Sequence, residues 1–120
     1  MKYLCLVYLD ENRLDELPDE DCVRYDRDIR DSGHCLASEA LESVQTATTV
    51  RMRNGRLSIT DGPFAETKEQ LAGFYMIEAK DLNEAIQVAS GIPPAQVGSI
   101  EIRPIRPIRE TVAAQKGNFQ

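Results

Sequence analysis

The chain has 120 residues, 20 acidic against 14 Lys and Arg, a formal charge of −6 and 42% apolar residues. That length allows one domain around one hydrophobic core, and the composition is that of a globular protein. An acidic chain lacks the clustered basic surface that phosphate binding needs, so no nucleic-acid partner is expected.

Arg103, Arg106 and Arg109 do make a local basic stretch, but prolines interrupt it. The apolar run at residues 3 to 9 stops at Asp10, too soon for a signal peptide or a membrane span. Cys5, Cys22 and Cys35 are odd in number and lack paired spacing. Reduced thiols in a cytoplasmic protein are therefore expected, with no disulfide framework and no metal site.

Residues 2 to 9, KYLCLVYL, are apolar on both alternating faces, the pattern of a strand covered on both sides. Leu4, Leu6 and Tyr8 share one face, and Tyr3, Cys5 and Val7 the other. A helix follows. Pro18 suits its first turn, the acidic residues after it complement the helix dipole, and Gly33 stops it. Cys22, Tyr25 and Ile29, with Val23 beside them, give it a thin apolar stripe. HCLASEALE, 34 to 42, reads as a second strand.

In TATTVRMRNGRLSIT, two alternating runs flank Asn54-Gly55, the pair that favours a tight type I′ hairpin. Val50 and Met52 then share a face with Leu57 or Ile59, depending on register. LAGFYMIEAK, 71 to 80, is another strand. Asp81 follows as an N-cap with Glu84 three residues on, a capping box. Ala85, Ile86 and Ala89 mark the inward face of that helix, which ends at Gly91. Pro93-Pro94 forces a loop, and SIEIRPI, 99 to 105, is the last strand with Ile100 and Ile102 inward. Residues 1 to 105 make one domain, and 106 to 120 form a tail without a pattern.

Two β-α-β units sharing an antiparallel sheet predict an α+β, ferredoxin-like fold with an inserted β-hairpin. Two helices cover only one face of such a sheet. Leu4, Leu6, Tyr8 and Phe74 or Tyr75 would leave the other face apolar, so a homodimer with sheets packed face to face is expected, burying well over ~1,000 Å².

TDGPFAETKEQLAGFYMIEA closely resembles the DGPF signature of the YCII-related (YciI-like) proteins. MKYLCLVY, QTATTVRMRNGRLSITDGPFAETKE and GSIEIRPI look like that family as well, so the likeness covers most of the chain. The resemblance implies a ferredoxin-like domain forming dimeric α/β barrels, of largely undefined role. A His–Asp pair in a cleft has suggested an enzymatic role for such proteins, and members often lie beside sigma-factor genes. Asp61 stands in the motif. The histidine would lie in the first helix, where CVRYDRDIRD has none; His34 follows Gly33 instead.

Asp61 is thus the candidate catalytic residue, although an Asp before Gly-Pro is also a good turn former. Glu66 and Lys68, with Glu69, either form a solvated loop or bind an anionic group while a carboxylate moves a proton. Tyr8 and Tyr75 are candidate substrate contacts through their hydroxyls. Arg103 is another candidate, although Glu101 on the same face favours an ion pair. No glycine-rich nucleotide loop, nucleophile elbow or HExxH motif occurs, so no cofactor is expected. Two functions fit. One is a cofactor-free acid–base enzyme acting on a small molecule near the DGPF loop. The other is a non-catalytic ligand-binding or regulatory module, linked to sigma-factor regulation.

Overall fold

The computed structural model describes residues 1–108; of the tail, the part from 109 onward lies outside the described residues. Lys2–Leu9 forms β1, Asp19–Asp31 α1, Cys35–Ala40 β2, Thr48–Arg53 β3, Arg56–Asp61 β4, Gln70–Glu78 β5, Leu82–Ser90 α2 and Ser99–Pro104 β6. Short 3-10 turns at Glu11–Glu16, Val44–Thr46 and Pro93–Gln96, not foreseen from sequence, join them. Four strands make one sheet in the order β2-β5-β1-β6, with every neighbouring pair antiparallel. β3 and β4 make a separate two-stranded ribbon. With the ribbon set aside, each β-α-β crossover skips one strand position. The fold is ferredoxin-like α+β, with the hairpin inserted.

The alternation in β1 divides the molecule. Tyr3, Cys5, Val7 and Leu9 are buried with Ile29 of α1, Ala85 and Ala89 of α2, Ile77 and Ile92. Both helices therefore lie on this one face. Leu4, Leu6 and Tyr8 are half-buried on the opposite face, across from Met76, Phe74 and Leu71 of β5. Phe74, not Tyr75, is the aromatic residue that β5 contributes to that open face. Tyr75 turns toward the helices, where its ring meets Tyr25 edge-on at 5.6 Å. The Tyr25 hydroxyl donates to the Val88 carbonyl at 2.7 Å, tying α1 to α2.

α2 starts as the capping box predicts, with Glu84 N donating to the Asp81 carboxylate at 2.9 Å. One expectation for this helix is corrected. Ile86 is 45% exposed, because the inward stripe runs through Ala85, Val88 and Ala89, and the next residue after Ala85 is turned about 100° away. Alanines at the contact let the helix backbone approach the sheet closely.

The hairpin turn has the predicted form, with Asn54 at φ 53° and Gly55 at φ 75°. Its register sets Val50 opposite Ile59 and Met52 opposite Leu57. All four side chains are 58 to 63% exposed.

Burial in the core pushes the Cys5 thiol from 9.0 up to about 11. A raised folded pKa keeps the proton on in the native state after the unfolded chain has lost it. Stability should therefore be intact below about pH 9 and fall as pH rises from about 9 to about 11. Urea titrations at stepped alkaline pH check this, and Cys5→Val should remove this contribution to the decline.

Candidate functional site

A cleft of about 710 Å³ opens between α1, the 3-10 turn at Glu11–Glu16 and the strands β2 and β5. Leu9, Leu14, Leu17, Val23, Leu41 and Ala72 supply its apolar lining. Its polar corner comes from α1 and β2. Asp26 and Arg30 are one helical turn apart, so both project from the same side of α1. Ser38 is an alternate residue of β2 and nearly buried, at 9% exposure.

The three form a closed ring of hydrogen bonds. Ser38 Oγ donates to Asp26 Oδ1 at 2.7 Å. Arg30 Nη2 donates to Ser38 Oγ at 2.9 Å, and Arg30 Nε donates to Asp26 Oδ2 at 2.9 Å. The ring keeps a carboxylate and a guanidinium fixed at the cleft wall, and their charges offset each other. Arg30 still has N–H groups left over from this ring.

Tyr75 stands beside the ring. Unlike Tyr25, its hydroxyl has no hydrogen-bond partner among the described residues, although it lines the cleft. Burial pushes its phenol from 10.0 up to about 12, and the neighbouring Asp26 charge acts in the same direction. At neutral pH Tyr75 is therefore a hydrogen-bond donor, not a base. Cys22 lines the cleft too, but burial first, and then Asp19 and Asp21, raise its thiol; a thiol held protonated is a poor nucleophile.

The mouth is framed by Glu11. Its carboxylate accepts from Ser43 Oγ and from Val44 N, both at 2.8 Å, and its own N–H donates to Gln70 Oε1 at 3.0 Å. Gln70 in turn donates to the Thr67 carbonyl at 2.7 Å. One side chain thus connects the cleft to the base of the DGPF loop.

The structure disperses the residues proposed from sequence. Only Tyr75 lines the cleft. Tyr8 points to the open sheet face, so the two tyrosine hydroxyls do not converge. Arg103 lies on that open face as well, opposite Leu4, and pairs with Glu101 at 3.2 Å. Asp61, Glu66 and Lys68 are exposed, and none of them borders the cleft.

In the DGPF turn the bonds run through backbone. Gly62 N donates to the Ala47 carbonyl at 2.7 Å, and Thr49 Oγ1 donates to the Gly62 carbonyl at 2.8 Å. Gly62 takes φ 111°, a conformation that suits glycine. The Asp61 carboxylate makes no hydrogen bond among the described residues, so it is not sealed into the turn. Asp61→Ala should change stability by less than about 0.5 kcal/mol, as for other surface positions free of partners. A larger loss in chemical denaturation would show that the carboxylate does hold the turn.

His34 does not reach the cleft. Its Nδ1 lies 3.0 Å from the Glu78 carbonyl and 3.8 Å from a Glu84 oxygen. Sequence reasoning missed Asp26, Arg30 and Ser38. A signal was present, because Asp26 falls four residues after Cys22 and three before Ile29, a charge set into an apolar stripe.

Among the described residues no helix is long and apolar enough to cross a membrane. A small ferredoxin-like α+β domain with one hydrogen-bonded cleft beneath its first helix is the class that fold and site define. The chain belongs to the family of proteins with a YCII-related domain, whose model matches residues 1–109. It is 36% identical over 114 residues to an uncharacterised protein of Rhizobium meliloti (strain 1021), spanning 88% of this chain and 92% of that protein.

Proposed function

We propose that the cleft under α1 binds a small, largely apolar molecule through a neutral oxygen acceptor such as a carbonyl. The observation that carries this is the Tyr75 hydroxyl, a protonated donor on the cleft wall without a partner among the described residues. Spare Arg30 N–H groups beside it suit the same acceptor. The lining carboxylates Glu11, Asp15 and Asp19 disfavour an anion. A cavity with apolar walls and a few convergent polar groups is the usual form of a small-molecule site.

A thermal-shift screen of small ketones, aldehydes and amides tests the reading. Hits are expected to stabilise the wild type and to lose most of their effect with Tyr75→Phe. Hits that act equally on both proteins would overturn it.

A second reading, an acid–base enzyme, is favoured by Asp26 lying on the same wall as Tyr75. A phenol donating to a carbonyl oxygen would stabilise an enolate while the carboxylate takes the neighbouring proton. Exchange of that proton for deuterium, followed by NMR on a bound ketone, distinguishes enzyme from binder. It should vanish with Asp26→Asn if the enzyme reading holds. The segment TDGPFAETKE supports membership of a DGPF-marked subgroup, and the uncovered face at Leu4, Leu6, Phe74 and Met76 supports a homodimer built sheet to sheet.

A further inference from the structure

We infer that the β3–β4 ribbon is an arm that lays its apolar face on a second copy of this chain. The ribbon is amphipathic by strand alternation. Val50, Met52, Leu57 and Ile59 share one face, while Thr49, Arg51, Arg53, Arg56, Ser58 and Thr60 share the other. The four apolar side chains are 58 to 63% exposed, and Phe64 just beyond the ribbon is 79% exposed. Strand patterning this clean, left uncovered, is unusual. An isolated two-stranded ribbon is marginal in water and needs a surface to pack on. Five such side chains leave a patch on the order of 300–500 Å², the size at which a patch on a single chain marks an association site.

Charge selects the occupant. Residues 48–61 hold three arginines and Asp61, a net +2, so the rest of this −6 chain carries −8. The body of a second copy therefore attracts the arm, whereas two arms repel one another. Area agrees. Two arms exchanged about a twofold axis, each covering an equal area of its partner, would bury roughly 1,200–2,000 Å² in total, the size of a stable interface. Reciprocal exchange also closes the assembly, so no open-ended polymer results. The Ala47–Gly62 and Thr49–Gly62 bonds close the base of the ribbon, and Glu11 ties the chain leading into it to the body by holding Ser43 and Val44. A fixed root lets an arm of six-residue strands, about 20 Å long, reach the same place on every partner.

The test uses the full chain. Val50→Asp with Ile59→Asp places charge on the arm without touching the core, the cleft or the open sheet face. Sedimentation velocity across a micromolar series should show the wild type as a dimer and the variant weakened by about 100-fold or more in its dimerisation constant. A photo-crosslinking residue at Leu57 should join two protomers on a denaturing gel, and this readout holds even if the double variant folds poorly. A wild-type monomer, an unchanged dimerisation constant, or crosslinks confined to one protomer would overturn the arm. A dimer that resists the ribbon substitutions but dissociates with Phe74→Arg would also overturn it, while leaving the sheet-to-sheet dimer standing.

Discussion

Alanine at position 98 is expected to destabilise the fold by roughly 3 kcal/mol or more, the upper end of what overpacking costs. Gly98 lies between the 3-10 turn at Pro93–Gln96 and β6, and its N–H donates to the Pro94 carbonyl at 2.8 Å. The next residue, Ser99, pairs with Tyr8 of the central strand. The chain can make this passage only because glycine lets its backbone touch β1. A Cβ at Gly98 would run into the Tyr8 carbonyl oxygen and lie 3.0 Å from both Cα and Cβ of Leu9.

None of those atoms is the movable end of a side chain. The oxygen belongs to a strand paired on both edges, so relief would require shifting β1 against β5, or letting β6 slip. Urea unfolding of Gly98→Ala checks this. A midpoint unchanged within error would mean that the chain at Gly98 does not press against β1.

The elements legible in the sequence are those whose cause is local. Asn54-Gly55 specifies its own turn because two successive residues must take positive φ. Asp81 and Glu84 specify a helix start because they sit three apart. The double-sided apolar pattern of KYLCLVYL reports a central strand whatever its neighbours are. The cleft has no such local cause. Asp26 and Ser38 are twelve positions apart in the chain and meet only because α1 returns the chain to β2. Tyr8 and Tyr75 look alike in sequence, yet register decides their roles. Cys5 is opposite Tyr75, so Tyr75 shares the helix-covered face while Tyr8 faces the other way.

The DGPF segment drew attention through its density of charge. Its described contacts are instead those of a turn that closes the base of the ribbon, and the lining of the cleft comes from elsewhere. The clearest overlooked signal was Asp26, whose place in the Cys22–Ile29 stripe makes no sense for a helix that only packs.

Phenylalanine at position 75 is expected to weaken binding of a carbonyl-bearing ligand by roughly 10- to 100-fold while leaving folding stability nearly unchanged. The two effects separate because the hydroxyl has no hydrogen-bond partner among the described residues of the free protein. Its loss removes no hydrogen bond among the described residues, and the ring keeps its edge-on contact with Tyr25. In the complex, the same hydroxyl would be the donor to the ligand oxygen in a partly desolvated site. An acceptor left there without its partner loses about 1–3 kcal/mol.

Tyr25 provides the internal comparison. Its hydroxyl donates to Val88 at 2.7 Å, so Tyr25→Phe should lower stability by about 1 kcal/mol. Because burial holds the Tyr75 phenol up to about 12, the donor stays protonated, and affinity should be flat between roughly pH 6 and 9 as far as this residue is concerned. Calorimetric titration of a screening hit into wild type and Tyr75→Phe, with urea unfolding of both tyrosine variants, decides the matter. Equal affinity in wild type and Tyr75→Phe would remove Tyr75 from the site. A stability loss matching that of Tyr25→Phe would make its hydroxyl a structural group.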